Sequence, residues 1–470
     1  MENEFDYHPD EGFSLTLVKK FEEMLFHKEI LFFDVEEFED LLDYYNSKNN
    51  FTRALEVVKH ALLQHPKSGS LLLSCAQVYV AIHKPQEALR YLQMAENVEP
   101  FNRDLFYTKA SIFSQLRKSE KAIDNYKKAL DYADDFEKED ILLQLAFEFE
   151  NSNDYEHALI HLKEVLELNP ENETALYEVG FCYDFSGKIE DGKTYFSEFV
   201  DRYPYSYIAW YNLGITFSKL ELYEKAISCF DFAIAINEDF PTSYFNKAHA
   251  LSQLEKYQEA IECYEETLKF EENDALSYYY IGENLEKLED YSKAIYYYKV
   301  AIDLDEFLSD AWLGVASCFF ELNQDLDSLH YVQKALDCDE MNSNAYYMLG
   351  DVNVALGLYE KALSAYEKVL ELEEDHPEIL TDLATTCSHL EQYDTAMEYF
   401  VLGVKTQPDN AKLLYNFVAF LLKKEDLINA LFYLDIALKN HYDQHNELFD
   451  VYADAIFNPQ VLELLAYYKK

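Results

Sequence analysis

IAWYNLGITFSKLELYEKAISCFDFAIAINE, residues 208–238, carries two apolar stripes at helical spacing. Trp210, Leu213, Gly214 and Phe217 fall at i, i+3, i+4 and i+7, and Ala226, Phe230 and Ala233 at i, i+4 and i+7. A short polar turn around Glu221 joins the two stripes. Small residues such as Gly214 and Ala226 let helix backbones approach closely, with the large residues filling the groove beside them. The stretch therefore predicts a helical hairpin whose apolar face needs a neighbour.

The chain supplies that neighbour many times over. Steps of 34 from Gly214 land on Ala248, Gly282, Ala316, Gly350 and Ala384, and backward on Gly180 and Ala146. The same steps from Ala226 land on Ala260, Ala294, Ser328, Ala362, Ala396 and Ala430, and backward on Gly192 and Ala158. A 34-residue period with W-x-x-L-G-x-x-[YF] and then A-x-x-x-[FY]-x-x-A resembles the tetratricopeptide repeat (TPR). Counting gives twelve repeats over 35–444, beginning at Val35, Gly69, Arg103, Glu139, Glu173, Tyr207, Pro241, Ala275, Ser309, Ser343, Pro377 and Ala411. Two extra residues in the DDFEKED stretch near Glu139 break the phase once. The resemblance implies an all-α, right-handed superhelical α-solenoid of about twelve hairpins, like the all-TPR scaffold proteins of bacteria. Each repeat of such an array contacts only its neighbours, so its ends need covers.

The expected covers flank the repeats. Residues 1–34 would comprise an acidic tail, over 1–12, and a capping helix from Ser14 to about Glu29, with Leu17, Phe21, Met24 and Leu25 facing inward. Asp34 and Glu37 have the spacing of a capping box. Residues 445–470 would form two short C-terminal helices divided at Asn458-Pro459, with Leu448, Val451, Ile456 and Leu464 sealing the last repeat. Prolines agree with the register. Pro66, Pro100, Pro170, Pro204 and Pro408 share the turn that closes a repeat, Pro241 and Pro377 open a repeat, and Pro85 opens a second helix, all positions that tolerate proline. Gly187 and Gly357 fall in the turn within a hairpin.

The balance of charge narrows the partners. With 89 acidic against 39 basic residues the net charge is −50, which repels nucleic acid and anionic membranes and leaves a basic protein or peptide as partner, or none. The start, MENEFDYHPDEG, has neither the positive nor the apolar segment of a signal peptide, and no run approaches the ~20 apolar residues of a membrane span. Seven scattered cysteines read as free thiols, and the expected compartment is the cytoplasm. Oligomeric state has no signature.

Catalytic signatures are absent: there is no phosphate loop, nucleophile elbow, C-x-x-C or calcium loop, and no cofactor is implied. The nearest approach to a metal motif is HALIH, with His157 and His161 at i, i+4. It lacks the glutamate of H-E-x-x-H, and the repeat register makes His157 a solvent position and His161 a packing position. Binding residues come from the resemblance instead. TPR ligands lie against the first helix of each hairpin, in the concave groove. The fifth residue of that helix is aromatic in seven of twelve repeats, including Tyr177, Tyr211, Phe245 and Tyr279 in succession. The next position holds Asn212 and Asn246, resembling part of the asparagine ladder of the O-GlcNAc transferase repeats. Acidic residues further along, Glu283 and Glu286 among them, oppose the acidic C-terminal ligands of co-chaperone TPR domains. These residues predict a non-enzymatic scaffold that binds a polypeptide, with a basic segment, in its groove. The alternatives are a regulatory subunit docking by its convex face or ends, and a metal-dependent hydrolase built on His157 and His161.

Overall fold

The computed structural model describes residues 9–373, 376 and 378–469. Most of the expected acidic tail, and Pro377, lie outside them. Among the described residues the chain is all-α, with twenty-seven α-helices, two short 3-10 helices and no strand. From Val35 to His441 the helices alternate as twelve hairpins.

Ten of the twelve first helices begin at the residue the 34-residue step predicts. One exception, Lys138–Asn151, begins a residue ahead of Glu139, because the inserted DDFEKED stretch makes its own turn. There Asp134 accepts from the backbone N–H of Phe136 and Glu137 at 3.1 and 3.0 Å. The other, Ile379–His389, begins two residues after Pro377. Side-chain caps fix most of the starts. Asp34, Ser68, Asn102, Asn172, Ser206, Asp274, Asn342 and Asn410 each accept from the N–H three residues on, satisfying a donor that the helix leaves free. Asp34 and Glu37 close the expected capping box. Pro85 and Pro241 stand in the first turn of their helices.

Each hairpin turns through one residue in the left-handed region. At the common position stand Asn49, His83, Arg117, Asn153, Gly187, Glu221, Glu255, Glu289, Asn323, Gly357, Glu391 and Glu425, with φ between 54° and 71°. Ten of these carry a side chain there, although glycine alone takes that conformation freely.

The helices form two compact units, Met1–Asn237 and Glu238–Lys470. In the first, helix Pro9–His27 buries Leu17, Phe21 and Met24 against Phe33, Phe38 and Leu41 of the first repeat, with Phe21 and Phe33 edge-to-face at 5.8 Å. A continuous core then runs from Leu72 to Cys229. Gly214 is required there, because a Cβ would stand 2.6 Å from the Phe230 ring. In the second unit the chain ends with helices Asn446–Val451 and Pro459–Tyr468. They bury Leu448, Val461 and Leu465, with Ala455 between them, among Phe417, Leu434 and Leu438. Val451 and Ile456, expected to seal this end, are exposed at 37% and 50%. The 3-10 turn Ala453–Phe457 points Ala455 inward in place of Ile456. All seven cysteines are thiols. No described helix is long and apolar enough to cross a membrane.

Candidate functional site: the first-helix faces

The aromatic fifth positions have a packing role. Tyr107, Tyr211, Phe245, Tyr279 and Tyr347 set their rings on the ring nineteen residues later: Tyr126, Phe230, Tyr264, Tyr298 and Tyr366. Centroids lie 5.3 to 6.1 Å apart, the range of favourable edge and tilted contacts. The inner ring is buried and the outer one half-buried, so each pair joins the hairpin core to its outer surface. Tyr177 differs. It touches Tyr211 edge-on at 6.2 Å and is 38% exposed.

In the first unit, Tyr177 and Tyr211 border a recess of about 180 Å³ with Asp184, Asn212 and Lys219. Asn212 is buried and donates its amide to the Leu176 carbonyl at 2.8 Å. A Cβ on Gly180 would stand 2.6 Å from the Asn212 Oδ1, so glycine makes room for this bond. The Lys219 ammonium is paired with Asp184. Close by, Glu150 accepts from the Cys182 thiol at 3.3 Å. Burial, and then the charge of Glu178, push the Glu150 carboxyl up to about 7. Burial pushes Glu178 up as well.

In the second unit, Phe245 packs on Tyr264 and Tyr280, and Asn246 donates to Thr242 O in its own helix at 2.8 Å. Tyr279, Glu283, Glu286, Asp310 and Tyr347 line a recess of about 350 Å³. Both Glu286 oxygens are engaged, by the Tyr298 hydroxyl and by Ser317 Oγ, each at 2.7 Å. Glu283 is surrounded differently: burial pushes its carboxyl up, Glu286 and Asp310 add to the effect, and Lys287 opposes it. One repeat further on, Tyr366 donates to Asp351 at 2.6 Å and Tyr347 to Asp382 at 2.8 Å. Burial drives Asp351 up to about 6 against the Tyr366 bond, with help from Asp382. Burial raises Asp382 too. Lys412 is paired with Glu378.

The acidic face is thus wired to the core by Tyr298 and Tyr366, which stand at the [FY] position of the repeat pattern and whose hydroxyls were not singled out from the sequence. Their signal was present, since a tyrosine at a fully buried position needs a partner for its hydroxyl. Glu150 and Asp382 were missed as well, because their chemistry comes from burial, which spacing does not report. His157 and His161 turn their Nδ1 atoms to Asp154 at 2.8 Å and Glu164 at 3.2 Å, and both rings stack on Phe149. Among the described residues no three His, Cys, Asp or Glu side chains gather as a metal site.

Models of the tetratricopeptide repeat match residues 104–136, 139–172, 174–206, 207–240, 241–274 and 353–419, together half of the chain. The chain belongs to the tetratricopeptide repeat family. Matches at 207 and 241 start where two hairpins start, so the family register and the structural one coincide. Members of the family are protein-binding modules, and no catalytic family is indicated for this TPR chain. Solved structures similar to it include a TPR protein from Parabacteroides merdae ATCC 43184, 16% identical, covering 53% of this chain and 99% of that one with a TM-score of 0.43. Yeast Tom70 is 15% identical, covering 92% and 95% with a TM-score of 0.44. MamA from Desulfovibrio magneticus RS-1 is 21% identical, covering 35% and 93% with a TM-score of 0.33. No curated protein matches the TPR sequence.

Proposed function

We propose that this TPR protein is a non-enzymatic cytoplasmic scaffold that holds a partner polypeptide, through a basic segment, against its first-helix faces. The observation that carries this reading is the recess beside Glu283. Tyrosine rings and carboxylates share its wall, Lys287 is its one basic lining residue, and Glu283 is pushed toward protonation. An arginine or lysine side chain entering there would answer the carboxylate charge and lie against Tyr279 and Tyr347. Tyr177 and Tyr211 in the first unit offer apolar contact area of the kind that anchors a bound segment. Nucleic acid and anionic membranes are excluded from the proposed partners by the net charge of −50.

The amides of Asn212 and Asn246 already donate to backbone carbonyls, so the proposed grip depends on rings and carboxylates rather than on an asparagine ladder. The test is retention of a partner from native cells by tagged full-length protein. Tyr177→Ala with Tyr211→Ala should weaken the retained complex by about 2 kcal/mol or more. A partner held equally by the variant binds elsewhere, and the reading fails.

A further inference from the structure

Three first helices end on lysine, and they differ in what faces the ammonium group: Lys219, Lys287 and Lys423. Lys219 meets Asp184, the next-to-last residue of the preceding first helix. Lys287 is within charge reach of Glu283, one turn back in its own helix. The preceding helix there offers Ser252, whose hydroxyl is already bonded to Asn284 at 2.7 Å. Lys423 has none of these. The residue equivalent to Asp184 is Ser388, the residue one turn back is Ala419, and Phe420 stands where Asn284 would accept the serine.

A second cation adjoins it. The Lys424 ammonium lies 3.5 Å over the Tyr393 ring, and Lys423 stands 5.7 Å from the Tyr452 ring, so each lysine faces an aromatic surface. Both lysines, with Ser388, His389 and Asn416, border a recess of about 230 Å³ that includes Phe400 and has no carboxylate in its lining. Lys423 is close enough to help burial hold the His389 imidazole below its ordinary range. The Lys219 recess sits at the same place of the repeat, but it contains its own anion, Asp184.

We propose that the Lys423 recess binds one compact oxyanion, a phosphate or carboxylate group, in the place that the Asp184 carboxylate takes against Lys219. Two ammonium groups and the Ser388 hydroxyl supply donors, while the Asn416 amide N–H already donates to Lys412 O. The volume is below the roughly 300 Å³ of a cofactor pocket, so the occupant is a single group. This site is independent of the basic-segment reading, since it lies on other residues and takes the opposite charge.

Equilibrium dialysis of the full-length protein against labelled inorganic phosphate, at fixed ionic strength, tests it. With a net charge of −50 the rest of the molecule repels the ion, so a saturable equivalent reports this recess. Wild type should bind one equivalent. Ser388→Asp should abolish binding by placing a carboxylate on Lys423, and Lys423→Gln should weaken it by about tenfold or more. Circular dichroism checks both variants, and Lys423→Gln carries the test if Ser388→Asp unfolds. A phosphoserine peptide held more tightly than inorganic phosphate assigns the group to a partner's side chain, and equal affinity assigns it to the free ion. Either result supports the site. No saturable binding by wild type, or binding unchanged in both variants, overturns it.

Discussion

At Glu150 a carboxyl sits between helices with Glu178 beside it and a thiol as its donor, and its proton affinity rises to about 7. The folded form therefore binds a proton that the unfolded chain releases near its ordinary value of 4.5. Stability from this group is complete below about 4.5 and is lost as pH rises through about 7. Glu150→Gln should raise the melting temperature at pH 8, by a free energy on the order of 1 kcal/mol once partial exposure is discounted. The difference should close near pH 4. Melting curves at the two pH values check this, and an equal difference at both would mean that Glu150 titrates normally. A second prediction concerns the turns. Glu289 adopts φ 59°, where a Cβ is strained and glycine is not. Glu289→Gly should stabilise the fold by about 0.5–1 kcal/mol in denaturant melts, and the same change at Glu286, inside the helix and bonded to Tyr298, should destabilise it.

Hairpins were legible in the sequence nearly to the residue, because the 34-residue step, the Asp34–Glu37 capping box and the prolines are each local and agree with one another. Legibility stopped where burial takes over. The fifth-position aromatics were readable as a row, but their pairing with the ring nineteen residues on depends on the geometry of packed helices. Ile456 failed as a sealing residue because a 3-10 turn points Ala455 inward in its place, and Val451 is exposed at the end of its own helix. Ala294 is fully buried, while Lys293 is exposed and paired with Asp290 at 2.6 Å. Ala294→Leu should overpack the hairpin at a cost of about 1–3 kcal/mol, and Lys293→Leu should fall within about 0.5 kcal/mol of wild type. Equal costs would place the buried stripe elsewhere. Removing residues 1–34 should uncover Phe38, Leu41 and Leu42, lowering the melting temperature while the remaining repeats stay helical by circular dichroism.

For the whole molecule, the charge of −50 makes the long-range field the first thing a partner meets, and the acidic first-helix faces give that field a destination. The sequence carries the acidic balance and the first-helix positions on which the proposal of a basic partner rests. It did not carry which carboxylates are available, since Glu286 is engaged by Tyr298 and Ser317 while Glu283 retains its charge interactions. The most direct measurement is the association rate of the recovered partner with full-length protein at low and moderate salt, for wild type and for Glu283→Gln with Asp310→Asn. Wild-type association should slow steeply as salt rises, and the variant should start about tenfold slower or less and show a flatter dependence. Association that is insensitive to salt in wild type, or identical in the variant, would contradict a basic segment held against this face.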